Sequence, residues 1–255
     1  MNRERGLVAA ALTPRGKRGE INYGACFELI DHLSRASVRG IALLTAAGEY
    51  PSFTIEERTR LVYLGAKRSR VPLLAGVGAE DLETAVELAR EALHAGAEGV
   101  ILSPPLLFEY PPDDLREYYL RFAAQVGRGT EIWIDGAPEP EELMATGHFT
   151  GVVGEGLSLS AAACAIPELL VALDCARRNE DAPAAERFLS AAGEFEQWAH
   201  CFAPLVAVKV ATGLRGIAVG TLPVPVAPEK APLLEEFRTW FRAWFPSTGK
   251  LAAHA

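Results

Sequence analysis

Six polar residues stand where apolar runs give way to loops: Thr13, Thr45, Glu49, Ser103, Asp135 and Glu155. Two carboxylates facing one pocket can share general acid–base work, one protonated and one ionised. Asp135 with Glu49 or Glu155 is the pairing that would do so. Plainer roles compete: Glu49 would accept backbone N–H bonds at its turn, and a strand-end aspartate such as Asp135 often caps a helix. Lysine is scarce, with Lys17, Lys67, Lys209, Lys230 and Lys250 the whole set and none from 68 to 208. His32, His94, His148, His200 and His254 stand singly, without the spacing of a metal motif. No metal site and no cofactor are expected. Gly76-x-Gly78 lacks the third glycine of a phosphate loop, and Ser103 has no Gly-x-Ser-x-Gly frame.

The elements that must position these residues alternate strand and helix, the mark of parallel βαβ units. Residues 6–14 (GLVAAALTP) form a nearly continuous apolar run, as in a strand buried on both faces. Residues 22–37 follow with Phe27, Ile30 and Leu33 on one helical face. Residues 40–44, 72–78, 99–105 and 131–135 read as the next four strands. Thr54-Ile-Glu-Glu57 is a capping box, Asp81 a helix N-cap, and Asp113 or Asp114 the start of a further helix. After Asp135 the pattern thins. Residues 151–157 suggest one more strand, and 159–165 run on without a clear break. From Pro167 the chain is mostly helical: 168–178, 183–200, 205–214 and, after a Pro/Gly-rich loop, 230–245. That last helix carries Leu233, Leu234, Phe237, Trp240, Phe241 and Trp244, a stripe suited to a core or an oligomer contact. Residues 246–255 are expected to fray.

The chain has 255 residues, a net charge of −8 and 49% hydrophobic residues. That length suits a single α/β barrel domain, divided as a barrel over 1–165 and a helical region over 166–255 packed on it. The acidic balance argues against nucleic acid as a partner. Cys26, Cys164, Cys175 and Cys201 make no Cys-x-x-Cys pair, which fits a reducing, cytoplasmic setting better than a disulfide framework. The opening residues read as running straight into a strand without a signal-peptide h-region, so no signal peptide is expected, and no uninterrupted apolar stretch is long enough for a membrane span.

The segment 40–59, GIALLTAAGEYPSFTIEERT, resembles one in the dihydrodipicolinate synthase / N-acetylneuraminate lyase family, where a strand ends Gly-Thr-Thr-Gly-Glu and Leu-Thr-x-Glu-Glu-Arg follows. Similar matches run along the chain: Leu12-Thr13-Pro14, Ala75-Gly-Val-Gly-Ala79, Ser103-Pro-Pro105, residues 131–138, and Val208-Lys209 through Gly216 with Leu222-Pro223-Val-Pro225. Thr221 stands near a place usually held by arginine. The resemblance implies a (β/α)8 TIM-type barrel. Between Asp135 and about Ala161 it lacks half the residues needed, so a βα unit after the fifth strand is missing or shortened. An open stave would need covering by a helix, a loop or a partner chain, and the resemblance implies a homo-oligomer, a dimer or tetramer.

Members of that family are Schiff-base lyases and aldolases, and the residues this chain holds at the matching places differ. The imine-forming lysine belongs on strand six, where Gly151-Val152-Val153 is the nearest match and Val153 takes the lysine position. Lys209 matches a family position that is not the imine-forming one. Asp135 stands for the proton-shuttling tyrosine, Ala46 and Ala47 for the threonine pair, and Leu106 and Leu107 for the tyrosines after strand four. Alanine and leucine cannot relay a proton. The expectation is a scaffold retaining a small-molecule, oxo-acid-like pocket lined by Thr13, Thr45, Ala46, Ala47, Gly48, Ser103 and Asp135, without classical lyase activity. The alternative is a lyase or aldolase working through Asp135 with Glu49 or Glu155 and no imine.

Overall fold

The computed structural model describes residues 6–155, 157–222 and 224–252, with side chains as far as Thr248. Seven parallel strands lie in the order β6-β5-β4-β3-β2-β1-β7. They are β1 (Gly6–Ala10), β2 (Gly40–Leu43), β3 (Leu73–Gly76), β4 (Gly99–Leu102), β5 (Glu131–Ile134), β6 (Gly151–Val152) and β7 (Leu157–Ser160). A parallel bridge between Val153 and Leu157 joins the two ends of this order. The result is a nearly closed TIM-type barrel with one stave fewer than eight.

Residues paired in register share a face. The pairings therefore put Val8, Ala42, Leu74, Ile101, Trp133 and Leu157 inside, with Val153 and Leu159 packed against them. Seven strands enclose less volume than eight, and the inward positions show it. Gly40, Gly76, Gly99 and Gly151 lie on the same face. A Cβ on Gly151 would stand 2.4 Å from the Trp133 ring. The indole of Trp133 fills the space this glycine leaves, and its Nε1–H donates to Glu131 Oε1 at 2.6 Å.

The helices carry the opposite strand face. α1 (Tyr23–Arg35), α2 (Ile55–Arg68), α3 (Leu82–His94) and α4 (Pro112–Val126) follow the first four strands. The Thr54–Glu57 capping box is complete at the start of α2, an arrangement that contributes about 1 kcal/mol. Asp81 caps α3 by accepting from Thr84 N–H at 2.8 Å. α4 begins at Pro112, ahead of the expected Asp113 or Asp114, because proline suits the first helical position and leaves both aspartates in the favourable first turn.

The shortening predicted after the fifth strand is present. α5 (Pro140–Ala145) has 6 residues, and no helix separates β6 from β7. The expected single strand over 151–157 is two short ones, because the chain turns back at Gly154 with φ 99°. One edge of β7 consequently pairs with β1 while the other has only the Val153 bridge, and outward-facing Ser158 is exposed. Beside β6 a cleft of about 750 Å³ opens, with Glu131, Glu141, Met144, His148, Phe149 and Glu155 in its wall.

Four helices follow: α6 (Pro167–Arg178), α7 (Ala182–His200), α8 (Val206–Leu214) and α9 (Ala231–Ala252). The aromatic stripe of α9 belongs to the core. Phe237 and Phe241 are buried, and the stripe meets Phe195 and Trp198 of α7 at ring-centroid distances of 5.7–6.5 Å. α9 also runs past Phe245, through Pro246, where fraying was expected. Ser247 and Thr248 hydroxyls donate to the Trp244 carbonyl at 2.7 and 3.0 Å. Residues 253–255 of the expected tail lie outside the described residues.

The cysteines divide in two. Burial pushes the Cys26 and Cys164 thiols up to about 12, while Cys175 and Cys201 are exposed. Only thiolate reacts readily. Titration of the native protein with a chromogenic disulfide reagent should release the two exposed equivalents, and denaturant should release the rest. Three or more fast-reacting thiols in the native protein would contradict this burial.

Candidate functional site

The C-terminal ends of the strands form the barrel mouth, where barrel active sites sit. On the β2 side the chain bends across the axis. Leu44 takes φ 58°, and its carbonyl oxygen lies 2.1 Å from where a Cβ on Gly76 would be. Only glycine at 76 admits this crossing. Thr45 then leads into a 3-10 turn over Ala46–Gly48, and a second over Tyr50–Ser52 follows the left-handed Glu49. Thr13, Thr45 and Gly48 are buried, Ala47 is half-buried and Ala46 is exposed. The Thr45 hydroxyl is buried without a hydrogen-bond partner among the described residues.

Glu49 was expected to accept backbone N–H bonds at its turn, and among the described residues its carboxylate accepts from side chains instead. Its carboxylate meets two cations: Lys209 Nζ donates to both oxygens at 2.9 and 2.8 Å, and Arg15 Nε to Oε2 at 3.0 Å. Lys209 is 1% exposed and Glu49 9%. Arg15 also lies 4.8 Å over the Phe53 ring. These contacts tie the strand-two turn to α8.

Asp135 and Ser103 face each other from β5 and β4. Ser103 Oγ donates to Asp135 Oδ2 at 3.3 Å, and Tyr119 donates its hydroxyl to the Asp135 carbonyl at 2.8 Å. The Tyr118 hydroxyl points to the Ser103 carbonyl at 3.5 Å. Burial pushes both phenols well above the ordinary tyrosine range, so they act as neutral donors. Tyr50 completes the group: it is 4% exposed, and its hydroxyl lies beside Gly78, where a Cβ would come within 2.5 Å of it. Burial raises its pKa first, Arg58 opposes that, and Asp135 and Glu80 add to it. Arg58 lies 4.9 Å over the Tyr50 ring, is itself 4% exposed and donates to the Gly78 carbonyl at 2.7 Å.

The expected site residues are therefore divided among three places. Thr13, Thr45, Ala46, Ala47, Gly48 and Glu49 lie on the β1–β2 side of the mouth, and Ser103 with Asp135 on the β4–β5 side. Glu155 is exposed in the wall of the lateral cleft with Glu131 and Glu141. Neither Glu49 nor Glu155 shares a hydrogen bond with Asp135. Val153 packs against the interior cluster. Sequence reasoning missed Arg15, Tyr50, Arg58, Tyr118 and Tyr119. Tyr50 carried a signal, since it directly follows Glu49 in the segment 40–59 that carries the family resemblance. No group of three or more metal-ligating side chains occurs among the described residues, and no helix there is long and apolar enough to cross a membrane.

The fold has counterparts among solved structures. N-acetylneuraminate lyase from Mycoplasma synoviae matches with a TM-score of 0.81 at 15% identity, covering 96% of this chain and 99% of that one. The wild-type sialic acid aldolase of Ruminococcus gnavus gives 0.83 at 17% identity over 96% and 99%. A prophage protein of the dihydrodipicolinic acid synthase family from E. coli K12, solved with pyruvate, gives 0.79 at 21% over 94% and 98%. Identities this low speak for the fold alone. Sequence likeness is concentrated in the first half. The 4-hydroxy-tetrahydrodipicolinate synthase of Heliobacterium modesticaldum is 36% identical over 120 residues, 46% of this chain and 39% of that protein. The Oceanobacillus iheyensis enzyme of the same name is 32% identical over 115 residues, 44% and 39%. The matched region thus spans about two fifths of the curated relatives' length. The model of the dihydrodipicolinate synthetase family covers residues 3–130, half the chain and all of β1 through α4. With the strand-two turn, the parallel barrel and that match in agreement, the chain belongs to the dihydrodipicolinate synthetase family.

Proposed function

We propose that this family member works without an imine: it keeps the barrel and a small-molecule pocket at the mouth and lacks classical lyase or aldolase activity. The observation that carries this reading is Val153, packed inside the barrel at the place the resemblance gives to the reactive lysine, in a chain with no lysine from 68 to 208. Lys209 is engaged by Glu49. The strand-five phenol is replaced by the Asp135 carboxylate, and Ala46 and Ala47 offer no side-chain hydroxyl. Trapping with pyruvate and borohydride, read by intact mass, tests the reading, and a stable adduct would overturn it.

A second reading is favoured by Asp135 itself, half-buried at the mouth with a long bond from Ser103 as its side chain's hydrogen bond. A carboxylate so placed suits a general base for a lyase on a small oxo or hydroxy acid. Turnover abolished by Asp135→Asn would establish it, and the first reading expects no turnover in either protein.

The pocket is supported in a homo-oligomer, which the loop after β4 favours. Leu106, Leu107, Phe108 and Tyr110 are 45%, 64%, 70% and 38% exposed beside the mouth. A contiguous apolar surface of this kind marks a contact. Sedimentation at micromolar concentration should give a dimer or larger, and Phe108→Asp should shift it toward monomer. A wild type that sediments as a monomer would remove this element of the proposal.

A further inference from the structure

The less buried side of α8 borders a second cavity, of about 520 Å³, walled also by the 216–222 loop and α9. Thr13, Thr45, Ser103 and Asp135 are not in its wall. Its volume is that of a small-molecule site, and such sites are mostly apolar with a few placed polar groups. The wall has that composition. Val210 and Leu214 of α8, Leu222 of the loop and Leu234 of α9 are partly buried against the core and give the cavity an apolar lining. Gly213 keeps it open: a Cβ on this exposed helical glycine would meet no atom within 4 Å.

Two cations border this space. Lys209 is committed, since its ammonium donates to both oxygens of Glu49. Arg238 is not. Its Nε is buried and makes no hydrogen bond among the described residues. The Glu235 carboxylate, three residues earlier on α9, stands 3.2 Å from that nitrogen without completing the bond, and its side chain is 73% exposed. An exposed i,i+3 pair of this kind contributes little, and a guanidinium has five donors to satisfy. A buried donor left unmet costs free energy unless something else supplies an acceptor. The planar fork of arginine is matched best by a carboxylate, through two parallel hydrogen bonds.

We propose that this cavity binds a small carboxylic acid with an apolar body. The carboxylate pairs with Arg238, and the hydrocarbon lies against Val210, Leu214, Leu222 and Leu234. The site is independent of the barrel mouth and stands whether or not the imine-free reading holds.

Ligand-observed NMR titration with hexanoate, 1-hexanol and acetate, on wild type, Arg238→Met and Gly213→Leu, tests this. Hexanol has the body without the charge, and acetate the charge without the body. Hexanoate should bind the wild type at least about tenfold more tightly than either, the scale of one charge-assisted hydrogen bond. Arg238→Met keeps an apolar stem and should erase the preference for hexanoate over hexanol. Gly213→Leu should weaken hexanoate about tenfold or more by filling the space. Its thermal midpoint should not fall, because leucine is the better helix former and has room there. Absence of hexanoate binding to the wild type overturns the proposal, as does binding that Gly213→Leu leaves unchanged. Hexanol binding as tight as hexanoate overturns the carboxylate as the recognised group.

Discussion

Incubation with pyruvate followed by borohydride should leave the intact mass of this protein unchanged, whereas an imine-forming synthase treated in parallel should gain the reduced adduct. Imine formation needs an unprotonated amine within reach of a bound 2-oxo acid. Lys17 and Lys67 are exposed, Lys67 against the Tyr63 hydroxyl, and Lys230 donates to the Cys201 carbonyl at 2.8 Å. Among the described residues Lys209 is the one amine buried near the mouth, and it donates to both oxygens of Glu49. Removing it from that carboxylate costs about 3–5 kcal/mol, which lowers the population of a free amine by roughly 10² to 5 × 10³. A stable adduct, located by peptide mapping, would sink the imine-free reading. Lys209 is the residue at which to look for it, and loss of the adduct in Lys209→Met would complete the reversal.

That this expectation can be framed from sequence, while the site's wiring cannot, follows from the range of the signals. Strands β1 to β5 announce themselves as apolar runs, and Thr54 and Asp81 cap helices within three residues of their partners. A missing lysine is visible at a glance in a list of five. By contrast Glu49 is held by residues 34 and 160 positions away, and no local pattern encodes such a partner. Tyr50 has the same character, since its significance comes from Gly78, Arg58 and Asp135. The stretch 151–160 failed for a different reason. Its two strands hold two and four residues, too short for alternation to register, and a glycine turn separates them. Glu155 was accordingly expected at the mouth and lies in the lateral cleft.

Removing the carboxylate of Glu49 destabilises the fold more than removing the amine of Lys209. In the wild type one carboxylate serves two cations in a site where Lys209 is 1% and Glu49 9% exposed. Lys209→Met leaves Glu49 with the Arg15 Nε contact at 3.0 Å, so the remaining ion is still paired. Glu49→Gln leaves an ammonium and a guanidinium close together with no counter-charge, the case in which breaking a buried pair costs about 3–5 kcal/mol. For a domain of this size that is a fall in thermal midpoint on the order of 10 °C. Lys209→Met should cost about 1–3 kcal/mol, and Glu49→Leu with Lys209→Met should cost less than the two single changes added together, because their energies are coupled. Urea unfolding of the four proteins, followed by tryptophan fluorescence, reads the order directly. A larger loss in Lys209→Met than in Glu49→Gln would mean that Arg15 does not support the carboxylate. Losses below about 1 kcal/mol in both would mean that the contact between the strand-two turn and α8 is not what joins the helical region to the barrel.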